Sequence, residues 1–215
     1  MVPLKLILLG CGTVGLKFLE LLQEKKADLN ERYNLEMTVV GAVDSTGAAI
    51  DERGLNPEQL IDTKTQTGKV GLYPENGVLG LSGKDALEKV KADVAIEAGV
   101  TDTKTGGLSL EHARTALSLG THVIFLSKGP LVCAYPELKQ LAIANNVQMK
   151  LSGATAAALP TVDVALHSLA GTHIHKMQGI LNGTSNYILT QMAQAGVSYA
   201  EALREAQKRG SPKPI

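Results

Sequence analysis

The chain has 215 residues, 44% of them hydrophobic and 20% charged, with Lys+Arg and Asp+Glu both at 21. A formally neutral chain of ordinary composition gives no reason to expect nucleic acid or a membrane surface as partner. Its two cysteines, Cys11 and Cys133, show neither a disulfide framework nor zinc-ligand spacing, so a cytoplasmic location is the default expectation and no metal is assigned.

"KLILLG" (5–10) is an unbroken apolar run closed by glycine, the pattern of a strand buried on both faces. Helical spacing of Val14, Phe18, Leu21 and Leu22 follows over 13–26, then a second strand over 36–44. Short helices are expected at 56–62, with Asn56 as cap and Pro57 in the first turn, and at 82–91. Strands at 92–99, 121–128 and 147–153 alternate with helices at 109–120 and 135–146. This alternation predicts a doubly wound, Rossmann-type α/β domain with a parallel sheet over residues 1–150. Texture changes over 151–215, a partial α+β domain. A small-residue loop "GATAAALP" leads into a helix near Pro160, "HIHKMQGIL" (173–181) reads as a strand, and helices follow at 184–196 and 198–210. Ser198 and Glu201 have capping-box spacing, and the terminal "SPKPI" continues no helix.

"GCGTVG" places Gly10, Gly12 and Gly15 between a strand and a helix, with Cys11, Thr13 and Val14 between them. In such a turn the first glycine makes the bend, the second lets a pyrophosphate approach the backbone, and the third packs helix on strand. Asp44 ends the second strand, further along than the usual spacing because "KADLNERYNLE" lengthens the connection. It is a candidate for the cofactor ribose, while the small neighbours Ser45 and Thr46 leave NAD and NADP both open. Gly99, Val100 and Thr101 follow the third long strand, and Lys128 the fourth; these ends face the crevice where such sheets bind ligands. A lysine there can bind an oxyanion or hold the cofactor. The rings of His173 and His175 share one face of the expected strand.

"LLGCGTVG", "AVDSTGAAIDERGL", "ALSLGTHVIFLSKGPL", "GATAAALP" and "GILNGTSNYIL" occur in this order, and together they resemble the homoserine dehydrogenase family. The resemblance implies a cofactor domain followed by a substrate and dimerisation domain. It also implies reversible hydride transfer between NAD(P)H and aspartate 4-semialdehyde, giving homoserine on the route to threonine and methionine, and a homodimer acting on a small molecule. By resemblance Gly10, Gly12 and Gly15 bind pyrophosphate, Thr101 lies near the nicotinamide and Lys128 is the active-site lysine. Asn182, Gly183 and Thr184 belong to the substrate side, where Asn182, Thr184 and Asn186 satisfy buried backbone groups.

Two departures stand out. Leu126-Ser127-Lys128 replaces the family's Ala-Asn-Lys, and Ser152 stands where a Glu linked to a monovalent cation is common. After "EALREAQKRG" the resemblance implies a Glu, an Asp and a second Lys, where this sequence reads "SPKPI". The expectation is therefore the N-terminal portion of such an enzyme, or else a non-catalytic NAD(P)-binding or dimerising protein. A last helix lacking its usual neighbour would expose apolar surface around Ala202, Leu203 and Ala206.

Overall fold

The computed structural model describes residues 2–157 and 159–209. The chain forms two compact units that divide between residues 158 and 159. The first unit opens with β1 (Val2–Leu9), α1 (Thr13–Glu24), α2 (Lys26–Tyr33) and β2 (Leu35–Asp44). It continues through β3 (Gly47–Ile50), α3 (Pro57–Thr67), β4 (Gly77–Leu79), α4 (Gly83–Lys89) and β5 (Val94–Glu97). Then come α5 (Gly107–Ser118), β6 (His122–Phe125), α6 (Gly129–Ala144), β7 (Met149–Lys150) and the short α7 (Ser152–Ala156).

The strands form one sheet in the order β4-β3-β2-β1-β5-β6-β7. The five strands from β2 to β7 in that row are parallel. β3 turns back antiparallel on β2, and β4 on β3. The parallel strands are those the sequence pattern predicts. The antiparallel edge is not predicted: "GAAI" and "GVL" are too short and too poor in large side chains to signal a strand. The chain leaves β1 toward β2 on one side and later returns to place β5 on the other. The order therefore reverses between β1 and β5, which makes their carboxyl ends the switch point of the sheet.

Both faces of β1 are buried. Leu6 and Leu8 pack with Leu19 and Leu22 of α1 and Leu60 of α3. Ile7 and Leu9 pack on the other face with Leu110 and Leu117 of α5 and Leu138 of α6. The "LILL" run is thus a two-sided alternation, as a parallel strand between helix layers requires. The pairing with β2 slips by one residue, Leu6 lying opposite Val39 but Ile7 opposite Gly41. This bulge is possible because Gly41 has no side chain; a Cβ there would lie 2.8 Å from Ile7 Cγ1.

Four helices of the first unit differ from expectation, one being α7, which stands where the end of a strand and a small-residue loop are expected while β7 keeps only Met149–Lys150. The lengthened connection after α1 folds as α2, which the sequence hides because no residue of it is fully buried and only a strong apolar stripe announces a helix. α3 has the expected cap, Asn56 Oδ1 accepting from the Glu58 and Gln59 amides, but runs on to Thr67. α6 begins at Gly129 and not near Tyr135. It comprises two helical stretches across a kink at Ala134 (φ −146°), with Pro136 in the following turn.

In the second unit, α8 (Thr161–Asp163) starts directly after Pro160 and continues into a wider turn over Val164–Ser168. The strand expected at 173–181 does not form; that segment has no regular structure and is exposed. A strand must pair its backbone with a neighbour, and the described residues of this unit contain no strand. α9 (Gly183–Ala195) and α10 (Tyr199–Lys208) complete it. The capping box is present, Ser198 Oγ accepting from the Glu201 amide while Glu201 accepts from the Ser198 amide. Ala202 and Ala206 are 2% and 1% exposed and pack with Ile188 of α9. The apolar side of α10 is therefore covered at these two residues, contrary to expectation, because α9 supplies the neighbour. Gly210 and the "SPKPI" segment lie outside the described residues.

Candidate active site

The turn after β1 is built by its three glycines in different ways. Gly10 has φ +115°, and a Cβ there would lie 2.6 Å from the carbonyl of Ala98 on the neighbouring strand's loop. A Cβ on Gly15 would collide with the Gly10 carbonyl oxygen, so α1 presses directly on the turn. Gly12, the N-cap of α1, has nothing within 4 Å of where its Cβ would be, and no side chain caps the helix. The start of α1 is therefore open to close approach at Gly12, with the positive end of the helix dipole behind it. Thr13 and Val14 are exposed there. Cys11 points the other way. Its thiol is buried, and burial together with the Asp44 charge pushes it up to about 12, the Lys64 ammonium and a Val43 backbone hydrogen bond pulling less strongly downward.

Asp44 is not a free acceptor. Its Oδ1 accepts from the Thr46 amide (2.7 Å) and hydroxyl (2.6 Å). Its Oδ2 accepts from Lys64 Nζ (2.6 Å) and the Val70 amide (2.9 Å). Burial alone would raise this carboxyl, but the hydrogen bonds from Lys64, Thr46 and Val70 outweigh it and hold the group below its ordinary value. The carboxylate thus ties the end of β2 to α3 and to the 3-10 turn at Val70–Leu72. Ser45 beside it is exposed.

Across the switch point, the β5–α5 and β6–α6 loops are joined. Glu97, the last residue of β5, is fully buried. Its Oε1 accepts from the Gly99 amide and the Ser109 hydroxyl, each at 2.8 Å, and its Oε2 lies 2.9 Å from His112 Nδ1. Its backbone carbonyl accepts from the Leu126 and Ser127 amides of the next loop. The Lys128 amide lies 3.4 Å from Thr101 Oγ1, and Gly129 fits against the Asp102 carbonyl only for want of a side chain. Lys128 itself is exposed at the start of α6, while the buried Ser127 hydroxyl has no protein partner. The glycine turn, Gly99, Thr101 and Lys128 are therefore brought to the same edge of the sheet. Glu97 and His112 escape a motif reading. The available signal is a glutamate at the end of "DVAIE", a charge inside an otherwise apolar run.

Asn182, Gly183 and Thr184 lie in the second unit. Asn182 is the N-cap of α9, its Oδ1 accepting from the Ser185 amide at 2.8 Å. Asn182 and Asn186 are exposed. The polar cluster inside "GILNGTSNYIL" therefore starts a helix, with Asn182 satisfying an exposed helix amide and not the buried backbone expected of it.

Residues 5–124 match the family described as Glutamate/Leucine/Phenylalanine/Valine dehydrogenase, and residues 160–213 match Homoserine dehydrogenase. The homoserine dehydrogenase of Methanocaldococcus jannaschii is 38% identical over 95% of this chain and 60% of its own length. An NAD(+)-dependent homoserine dehydrogenase of Pseudomonas canavaninivorans is 32% identical over 98% of this chain and 59% of its own. The solved structure of the homoserine dehydrogenase of Thermoplasma acidophilum matches with a TM-score of 0.76 at 25% identity, over 96% of this chain and 60% of that one. The chain thus spans about 60% of the length of these relatives. The longer family match falls on the sheet domain alone, whereas these relatives run through both units, and the chain belongs to the homoserine dehydrogenase family.

Proposed function

We propose that this chain is an NAD(P)-dependent oxidoreductase interconverting homoserine and aspartate 4-semialdehyde, a cytoplasmic step of threonine and methionine biosynthesis, and that it acts as a homodimer. The observation that carries the proposal is the open space over Gly12, at the uncapped start of α1 and at the switch point of the sheet. The amides of Gly12, Thr13 and Val14 would hold the pyrophosphate. Gly99 and Thr101 would line the nicotinamide side, and Ser45 the ribose edge. The four hydrogen bonds that occupy Asp44 favour a supporting role for it over a direct ribose contact, so both NAD and NADP belong to the proposal.

When bound, the nicotinamide supplies or accepts the hydride. The chain's task is to orient the two reactants and to answer the charge that develops. As the aldehyde is reduced, negative charge grows on its oxygen and a fixed cation stabilises it. Lys128 is the proposed cation. In the reverse direction the same ammonium favours ionisation of the homoserine hydroxyl. Asn182, Gly183 and Thr184 would bear on substrate through the start of α9.

The test is homoserine-dependent reduction of NAD and NADP by the purified chain, with cofactor binding titrated alongside. Turnover that falls about a hundredfold or more in Lys128→Ala, with the fold unchanged because Lys128 is exposed, is the expected result. Binding without any turnover would overturn the catalytic part and leave a dinucleotide-binding protein.

A further inference from the structure

Among the described residues, Glu97 is the one carboxylate that is fully buried. A buried charge costs stability unless it is paired and hydrogen-bonded, and an apolar side chain of similar size often does as well or better for folding. What an apolar residue cannot do here is hold the Gly99 amide. That amide points down onto Glu97 Oε1 at 2.8 Å, yet the next residue, Val100, is 90% exposed. The loop is thus solvent-facing at its top and anchored to the interior at its base. The fit is close: a Cβ on Gly99 would lie 2.7 Å from Glu97 Oε1 and 2.8 Å from Ser109 Oγ. On the far side of the carboxylate, His112 Nδ1 completes its pairing, and the ring is confined by Gly83 at the start of α4, where any side chain would strike it. The backbone carbonyl of Glu97 meanwhile fixes Leu126 and Ser127, the two residues before Lys128.

We propose that Glu97 is a positioning residue for the nicotinamide half of the dinucleotide. Its carboxylate sets the height of Gly99–Thr101, while its main chain sets the approach to Lys128. The adenine half, bound through the glycine turn, does not depend on it. This inference rests on the dinucleotide reading above.

The experiment compares dissociation constants of NAD, NADP and ADP-ribose, which lacks the nicotinamide, for the full chain and for two variants. Glu97→Met keeps the volume and removes the acceptor. Glu97→Gln keeps an oxygen for Gly99 and Ser109, and its amide can donate to the other tautomer of His112. The expected result is dinucleotide binding weakened about tenfold or more in Glu97→Met, with ADP-ribose unchanged within about twofold and Glu97→Gln close to wild type. Equal weakening of all three ligands, no weakening, or a Glu97→Gln variant as impaired as Glu97→Met would overturn the proposal. Should Glu97→Met fail to fold, amide hydrogen exchange of the wild-type chain decides: slow exchange at Gly99 beside fast exchange at Val100 supports the anchor, and fast exchange at both removes it. A wild-type chain that binds neither dinucleotide nor ADP-ribose overturns the dinucleotide reading and this inference together, whereas wild-type binding with unselective variants overturns this inference alone.

Discussion

Gly12 and Gly15 are three residues apart and would respond oppositely to a single methyl group. At Gly15 the added carbon meets backbone, the Gly10 carbonyl, which has nowhere to go. Gly15→Ala is expected to destabilise the first unit by about 3 kcal/mol or more. At Gly12 the carbon enters empty space, so Gly12→Ala should change stability by only about 1 kcal/mol. It should weaken dinucleotide binding at least about tenfold, roughly 1.4 kcal/mol. Urea melts and a cofactor titration on both variants check this pair. Asp44 offers a pH test. Its folded value lies below the unfolded one of about 3.9, so its contribution is complete above that value and is lost as pH falls through the depressed one. Asp44→Asn should cost about 1–3 kcal/mol at pH 7, with the gap to wild type shrinking as pH falls from about 5 toward 2. A gap independent of pH would mean that the Asp44 charge, with its Lys64, Thr46 and Val70 donors, contributes nothing. The sequence makes Asp44 visible as an acid at a strand end, but a motif cannot show that Lys64, twenty residues on, already occupies it.

Elements were legible in proportion to the burial they achieve. β1, β2 and β5 announce themselves because both faces are covered, and helices α3 and α10 because Asn56 and Ser198 carry the cap in their own side chains. α2 and the β3–β4 edge left no such mark. The segment 173–181 shows the converse, an alternating pattern that requires a partner ladder to become a strand. α9 depends on one side chain at its start. Asn182→Ala should lower the stability of the second unit by about 1 kcal/mol through loss of the Ser185 cap, seen as reduced helical signal near the thermal midpoint and rescued by Asn182→Ser or Asn182→Asp.

Across the whole molecule, the second unit leaves Ile180, Leu181 and Leu189 more than 60% exposed. Apolar surface gathered in one unit favours association, and light scattering should report a species at twice the chain mass. A monodisperse monomer would count against the homodimer. The candidate site was largely readable at this scale, since the glycine turn, Gly99 and Lys128 all lie at strand ends on one edge. Its buried support was not, because hydrogen bonds between β5 and α5 follow no sequence period. The bulge at Gly41 and the helix α2 have one more effect, on how such chains are found. Both lengthen the path from the glycine turn to Asp44 without moving either end of the sheet. A pattern search that fixes the gap between turn and acid would pass over this chain, whereas one that counts from the strand ends, which the sheet holds in place, would find it.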